Sequence, residues 1–305
     1  MLNEPRERAA LVALLKRAHS GWPRVASECL ERGSAIAVLD EARESQDALF
    51  PTPGDLDSLI TEAAESLAAW ARMDLDVHTV IDDSYPVQLR EIHEIPPILF
   101  TRGRLANDTR AIAVVGSRLA SERGLGMAKI IARGLVASDI AVVSGLAAGI
   151  DTAAHEAALA AGGRTVAVIG TGIRQYYPAK NRPLQDRIAT EGLVVSQFWP
   201  DAPPRKQQFP MRNAVMSGYA AATVVVEAGE RSGARNQARL ALAHGRPVIL
   251  LHRLLDHEWA RDISERPGVR VVREPDELFA AVETILDRRM ADLTSPEGVP
   301  ELTIV

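Results

Sequence analysis

Apolar positions recur at helical spacing through the first quarter of the chain and merge into short continuous runs after it. Residues 6–18 place Ala9, Leu11, Val12, Leu14 and Leu15 on one stripe, which predicts a helix. Gly21-Trp22-Pro23 interrupts it, and a short helix over 25–32 stops at Gly33. Further helices are expected over 34–43 and 55–73, on either side of the turn-rich Phe50-Pro51-Thr52-Pro53-Gly54. Residues 1–75 therefore read as a small all-α domain.

Between 76 and 110 the character changes to a lead-in segment. Residues 77–81 are strand-like, and the Pro96-Pro97 pair excludes a helix from the apolar run 95–100. From 111 onward apolar strands (111–115, 140–143, 165–169, 193–196, 222–226, 247–251, 269–272) alternate with amphipathic helices (121–137, 149–161, 183–191, 211–220, 233–243, 275–288). Continuous apolar strands of this kind need cover on both faces. The expected fold class is thus α/β, a mostly parallel sheet with helices on both faces over 76–290, preceded by the all-α domain. The tail 291–305, with Pro296, Gly298 and Pro300, is expected to be loose.

Composition narrows the class. The 305 residues are 47% apolar and 25% charged, which excludes a disordered or fibrous chain. No run of 18 apolar residues is present, so no membrane span is expected, and the first residues lack the apolar core of a signal peptide. A single cysteine, Cys29, leaves no internal disulfide or Cys-rich zinc site and reads as a buried small hydrophobe. Cytoplasmic localisation is the expectation. The net charge of −5 hides an asymmetry: residues 1–104 carry 11 Lys and Arg against 18 Asp and Glu, residues 105–255 carry 18 against 10, and residues 256–305 carry 6 against 12. A basic centre between acidic ends points to an anionic ligand for the central domain.

Four predicted strand ends carry small or polar residues: Gly116-Ser117-Arg118, Ser144-Gly145-Leu146-Ala147-Ala148-Gly149, Gly170-Thr171-Gly172 and the loop from Glu227 to Ser232-Gly233. Glycine admits a ligand close to the backbone, and the helix N-terminus that follows favours an anion. Neither the Walker sequence nor G-x-G-x-x-G occurs, which argues against NTP hydrolysis and dinucleotide binding; no cofactor is expected. Arg118 and Arg212-Asn213 read as phosphate contacts. Lys180, Asn181 and Arg182 follow Tyr176-Tyr177-Pro178, a combination that fits either base stacking beside a phosphate or a tyrosine pair anchoring the loop. Asp151 and His155, four apart on one helix, are read as a structural pair holding the 144–149 loop, ahead of acid–base machinery. The histidines show no metal-ligand spacing, so neither a metal site nor a catalytic residue is assigned.

Taken together, Tyr85-Pro86-x-x-Leu89, Pro96-Pro97-x-Leu99-Phe100-x-x-Gly103, Val115-Gly116-Ser117-Arg118, Ser144-Gly145-Leu146-Ala147-x-Gly149-Ile150-Asp151, Tyr177-Pro178-x-x-Asn181, Phe209-Pro210-x-Arg212-Asn213 and Val226-Glu227-Ala228-x-x-x-Ser232-Gly233 resemble the DprA/Smf family of bacterial DNA-processing proteins, over roughly residues 80–250. The resemblance is to a short member without the C-terminal winged helix, and the leading helices are similar to the SAM-like domain of that family. It implies an extended Rossmann fold, single-stranded DNA bound in a basic pocket, a homodimer formed through the Rossmann-like domain, loading of a RecA-type recombinase during transformation, and no enzymatic activity. The pocket positions it implies are Gly116, Ser117, Arg118, Ser144, Gly145, Gly149, Lys180, Asn181, Phe209, Arg212 and Asn213. Arg182, Ser232 and Gly233 join them from the loop reading. Departures fall at Ala214, where the family carries a basic residue, at Gln197, at Ala234-Arg235-Asn236-Gln237 after Ser232-Gly233, and at Leu251-His252-Arg253 in place of Pro-Gly. The alternative is a nucleotide-binding sensor or nucleotide-processing enzyme of the wider Rossmann-like group. Against hydrolysis stands Gln237, where such hydrolases carry a glutamate, because an amide cannot act as acid or base.

Overall fold

The computed structural model describes residues 4–18, 21–44 and 55–294. The expected turn at 50–54 and the last part of the tail lie outside them. Four helices come first: α1 (Glu4–Arg17), α2 (Trp22–Arg32), α3 (Ala35–Glu44) and α4 (Leu56–Ala71). Residues 9–15 of α1 are all buried, so α1 is the central helix of the unit, between α3 and α4. α3 has no acid in its own first turn. Its N-terminal amides are capped from a distance by the buried carboxylate of Glu7, which accepts from Ala35 N at 2.6 Å and Ile36 N at 3.1 Å. Cys29 is buried on α2.

The lead-in segment forms the antiparallel pair β1 (Asp76–Thr79) and β2 (Ile98–Gly103). The alternating part then follows as β3 (Ala111–Val115), α5 (Glu122–Ala137), β4 (Ala141–Ser144), α6 (Ile150–Ala160), β5 (Thr165–Val168), α7 (Arg182–Glu191), β6 (Leu193–Ser196), α8 (Gln208–Tyr219), β7 (Ala222–Val225), α9 (Gly233–Ala243), β8 (Val248–Leu251), α10 (Glu258–Ser264), β9 (Val269–Val272) and α11 (Pro275–Thr294). α11 runs to Thr294, past the point where the loose tail was expected to begin. α10 has no counterpart in the sequence reading.

All nine strands form one sheet in the order β1-β2-β6-β5-β4-β3-β7-β8-β9. β3 to β9 pair in parallel, and β2 adds to β6 in antiparallel sense. Alternate strand residues feed two cores. Ile112, Val114, Val142 and Val224 pack with α5, α6 and α11; Ala113, Val115, Val143 and Val225 share a second core with α8 and α9. That second core continues into α1–α4, where Trp199 meets Trp22, Trp70 and Phe100 at ring-centroid distances of 5.1, 5.6 and 6.0 Å. Among the described residues no helix is long and apolar enough to cross a membrane.

Strands β4 to β6 extend to one side of β3 and β7 to β9 to the other, so strand order reverses at β3. In a doubly wound sheet the crevice outside the carboxyl ends at such a reversal is where ligands bind.

Candidate functional site

A groove of about 610 Å³ occupies that crevice. Its walls come from the loop after β3, the loop after β4, the first turns of α8 and the loop between β7 and α9. Arg212 of α8 forms its floor and is only 5% exposed. Its Nη1 donates to the carbonyls of Gly145 and, at 2.6 Å, Val168, and its Nε donates to Asn213 Oδ1 at 3.0 Å. Its Nη2 has no partner among the described residues. The nearby charge of opposite sign is Asp151, whose carboxylate accepts from Gly145 N at 3.1 Å and Ala147 N at 3.3 Å. Burial pushes Arg212 down to about 10, with Arg118 acting in the same direction and Asp151 opposing, so the guanidinium stays charged at neutral pH. Burial also raises Asp151, against the pull of Arg212 and the two loop amides. Gly145 lies directly under the guanidinium, and a Cβ there would overlap it.

The loops are fixed by one another. Ser117 N donates to Glu227 O at 2.6 Å, and Ser117 O accepts from Ile150 N at 3.2 Å. Both Glu227 carboxylate oxygens are held by Ser121, through its amide and its hydroxyl. Leu146 sits in the left-handed region (φ 56°), and its carbonyl accepts from Asn181 Nδ2 at 2.9 Å. Over this frame Arg118 is exposed, its guanidinium 5.5 Å from the centroid of the Phe209 ring, which in turn lies 5.4 Å from the Tyr177 ring. Beyond the ridge formed by Arg118 and Leu119 lies an adjoining groove of about 530 Å³ lined by Lys129 and Lys180. Among the described residues Arg118, Lys129, Lys180 and Arg231 form no ion pair, whereas Arg174, Arg182 and Arg187 do.

The structure brings Gly116, Ser117, Arg118, Phe209, Arg212, Asn213, Ser232 and Gly233 to the main groove, and Gly149, Lys180 and Asn181 to the adjoining one. Other expected contacts are corrected. The Ser144 hydroxyl is fully buried and donates to Val114 O at 2.7 Å, so it supports the floor instead of facing a ligand. Asn181 spends its amide on Leu146 O and Thr152 Oγ1. Arg182 turns away, 4.8 Å above the Tyr176 ring and paired with Asp186, which also accepts from Tyr176 OH at 2.8 Å. The tyrosines thus divide the two roles left open in the sequence: Tyr176 anchors the loop, and Tyr177 stands 42% exposed beside Phe209. Ser232 caps α9 by accepting from Ala234 N at 3.2 Å. In the Gly170-Thr171-Gly172 turn, Gly170 lies against the Phe209 ring and Gly172 against residues 199–202, and none of the three lines the groove itself. The reading from sequence missed Leu119 and Arg231; a cation in a Gly-rich strand-end loop, the logic applied to Arg118, also singles out Arg231.

Asp151 and His155 share a helix face without bonding to each other. Asp151 accepts from two amides of the 144–149 loop, while His155 Nδ1 lies 2.7 Å from Thr165 Oγ1. Thr165 gives its one hydroxyl proton to Val142 O at 2.8 Å, so Nδ1 carries the imidazole proton. Burial pushes His155 down to about 3. An unfolded histidine takes up a proton near pH 6.5, whereas the folded one refuses it, so stability is lost as pH falls from about 6.5 toward 3. At pH 5 the expected loss is about 2 kcal/mol, and His155→Gln should flatten this part of a urea-stability profile against pH. An equally steep acid limb in the variant would assign the effect elsewhere, for instance to His78, which burial also lowers.

A doubly wound α/β sheet with an arginine-lined groove at its reversal point defines a Rossmann-like fold. The chain belongs to the DNA recombination-mediator protein A family, whose model matches residues 76–281. It is 42% identical over 174 residues to the DNA processing protein DprA of Streptococcus pneumoniae, a match covering 57% of this chain and 61% of that protein. The X-ray structure of that DprA superposes with a TM-score of 0.68 at 30% identity, covering 91% of this chain and 95% of the other. DNA processing protein A of Helicobacter pylori, a structure described by its single-stranded DNA binding mode, shares the fold with a TM-score of 0.61 at 23% identity, covering 70% and 96%.

Proposed function

We propose that this chain binds single-stranded DNA in the groove without transforming it, and serves recombination of incoming or damaged DNA in the cytoplasm. The observation that carries this reading is the set of cations without ion pairs among the described residues, Arg118, Lys180 and Arg231, around the buried Arg212, with the aromatic side chains of Phe209 and Tyr177 beside Arg118. Cations on a backbone track beside aromatic platforms suit a single strand, whose phosphates and unstacked bases are both accessible. The Helicobacter pylori relative's single-stranded DNA binding supports it. Gln237 supports the absence of hydrolysis: with its amide oriented to satisfy both ends, it donates to Asn213 O at 3.1 Å and accepts from Ser217 N at 3.3 Å, a packing role with no proton to exchange. A second copy of this chain and a RecA-type recombinase are the protein partners this reading adds.

Binding of a fluorescent oligothymidylate, measured at low and moderate salt, tests the proposal. Affinity should fall steeply with salt, and Arg118→Ala should lower the slope of log affinity against log salt by about 0.7 while changing the melting temperature little, because Arg118 is exposed and forms no ion pair among the described residues. A salt-insensitive or absent interaction, with a thermal shift from one nucleoside phosphate instead, would move the assignment to a nucleotide sensor.

A further inference from the structure

On the other side of the β7–α9 loop from the groove, a second pocket of about 320 Å³ opens at the carboxyl ends of β7 and β8. Arg123 from the first turn of α5, Arg253 after β8 and Arg273 after β9 line it, together with His252 and His257. All three arginines are exposed, and none forms an ion pair among the described residues. Two carboxylates border the pocket, Glu227 and Glu274. Glu227 is committed to Ser121 through both oxygens. Glu230, outside the lining, stands 3.8 Å from His257 Nδ1. Three permanent positive charges therefore line the pocket against two carboxylates, a net positive charge that an anion relieves. No Phe, Tyr or Trp lines the pocket, so it offers charge without a stacking surface.

We propose that this pocket is a second phosphate site, which takes the backbone of the same single strand where it continues past the groove. The inference rests on the groove reading above. One loop walls both cavities: Arg231 faces the groove, while residues 226–228 line the second pocket. A strand leaving the groove over that loop meets Arg253 and Arg273 next. Contact there is with phosphates and independent of base.

The test uses the full chain, the shortest oligothymidylate that saturates the groove, and one several times longer. The double variant Arg253→Ala/Arg273→Ala should bind the short strand as the unmodified chain does. It should bind the long strand at least tenfold more weakly, with the salt slope reduced by about 1.4 for two lost phosphate contacts. Equal affinity of variant and parent for the long strand, or an equal loss on both lengths, overturns the second site while the groove stands. Failure of the parent to bind the short strand overturns the groove reading and this one with it. A variant-sensitive thermal shift with inorganic phosphate or a mononucleotide, without any length effect, assigns the pocket to a small anion and likewise overturns the continuing strand.

Discussion

Arg212→Ala should both destabilise the fold and weaken the groove, by about 3 kcal/mol for unfolding and about 1–3 kcal/mol for a bound oligothymidylate. The unfolding loss has three sources in the structure. The carbonyls of Gly145 and Val168 lose their donor, Asn213 Oδ1 loses its partner, and Asp151 becomes a buried carboxylate with no cation facing it. From the sequence alone, the absence of an acidic residue in 207–217 predicts that folding survives this change, with pairing of Arg212 to Glu227 or Asp151 as the alternative; the structure favours the alternative, with Asp151 of α6 as the opposing charge. Urea denaturation reads the first effect, and anisotropy titration corrected for the folded fraction reads the second. Arg212→Lys should restore part of both, since one ammonium meets the charge of Asp151 but cannot span two carbonyls and an amide oxygen. Adding Asp151→Asn to Arg212→Ala should recover stability without recovering binding. A fully stable Arg212→Ala protein would show that the carbonyl clamp contributes nothing.

Gly149→Ala should be the most damaging small change in the site, at about 3 kcal/mol or more. Gly149 has φ 80° and ψ −124°, a combination that side-chain-bearing residues avoid. A Cβ would also overlap the carbonyl oxygen of Ser117, the atom that accepts from Ile150 N and ties the loop after β3 to α6. Relief requires the two loops to part, so the groove would open as stability falls. Gly233→Ala is the stability control: no atom lies within 4 Å of its Cβ position, and its variant should melt nearly as the parent does. If Gly149→Ala behaves like the control, the coupling of the two loops is dispensable.

The strands were legible because each is a short apolar run covered on both faces: β3, β6 and β9 fall at the expected residues, as does α9. α10 escaped because seven residues with Trp259, Ala260 and Ile263 buried give too little periodicity to separate a helix from a loop. In the site, local signals led to Arg118 and Arg212, which the structure places in the groove. They failed for Ser144, Asn181 and Arg182, whose partners Val114, Leu146 and Tyr176 are set by packing between segments. Gly145 shows the same limit. Its missing side chain reads as room for a ligand, whereas much of that room is filled by the protein's own Arg212.

The seam of Trp22, Trp70, Phe100 and Trp199 gathers three of the four tryptophans of the chain where the leading helices meet the sheet, and Trp259 is fully buried elsewhere. Intrinsic fluorescence is therefore dominated by that junction. Undocking of the helical unit would expose these indoles to water and shift emission to longer wavelength while the sheet stayed folded. The molecule thereby carries a built-in optical gauge of whether its two parts separate before they melt.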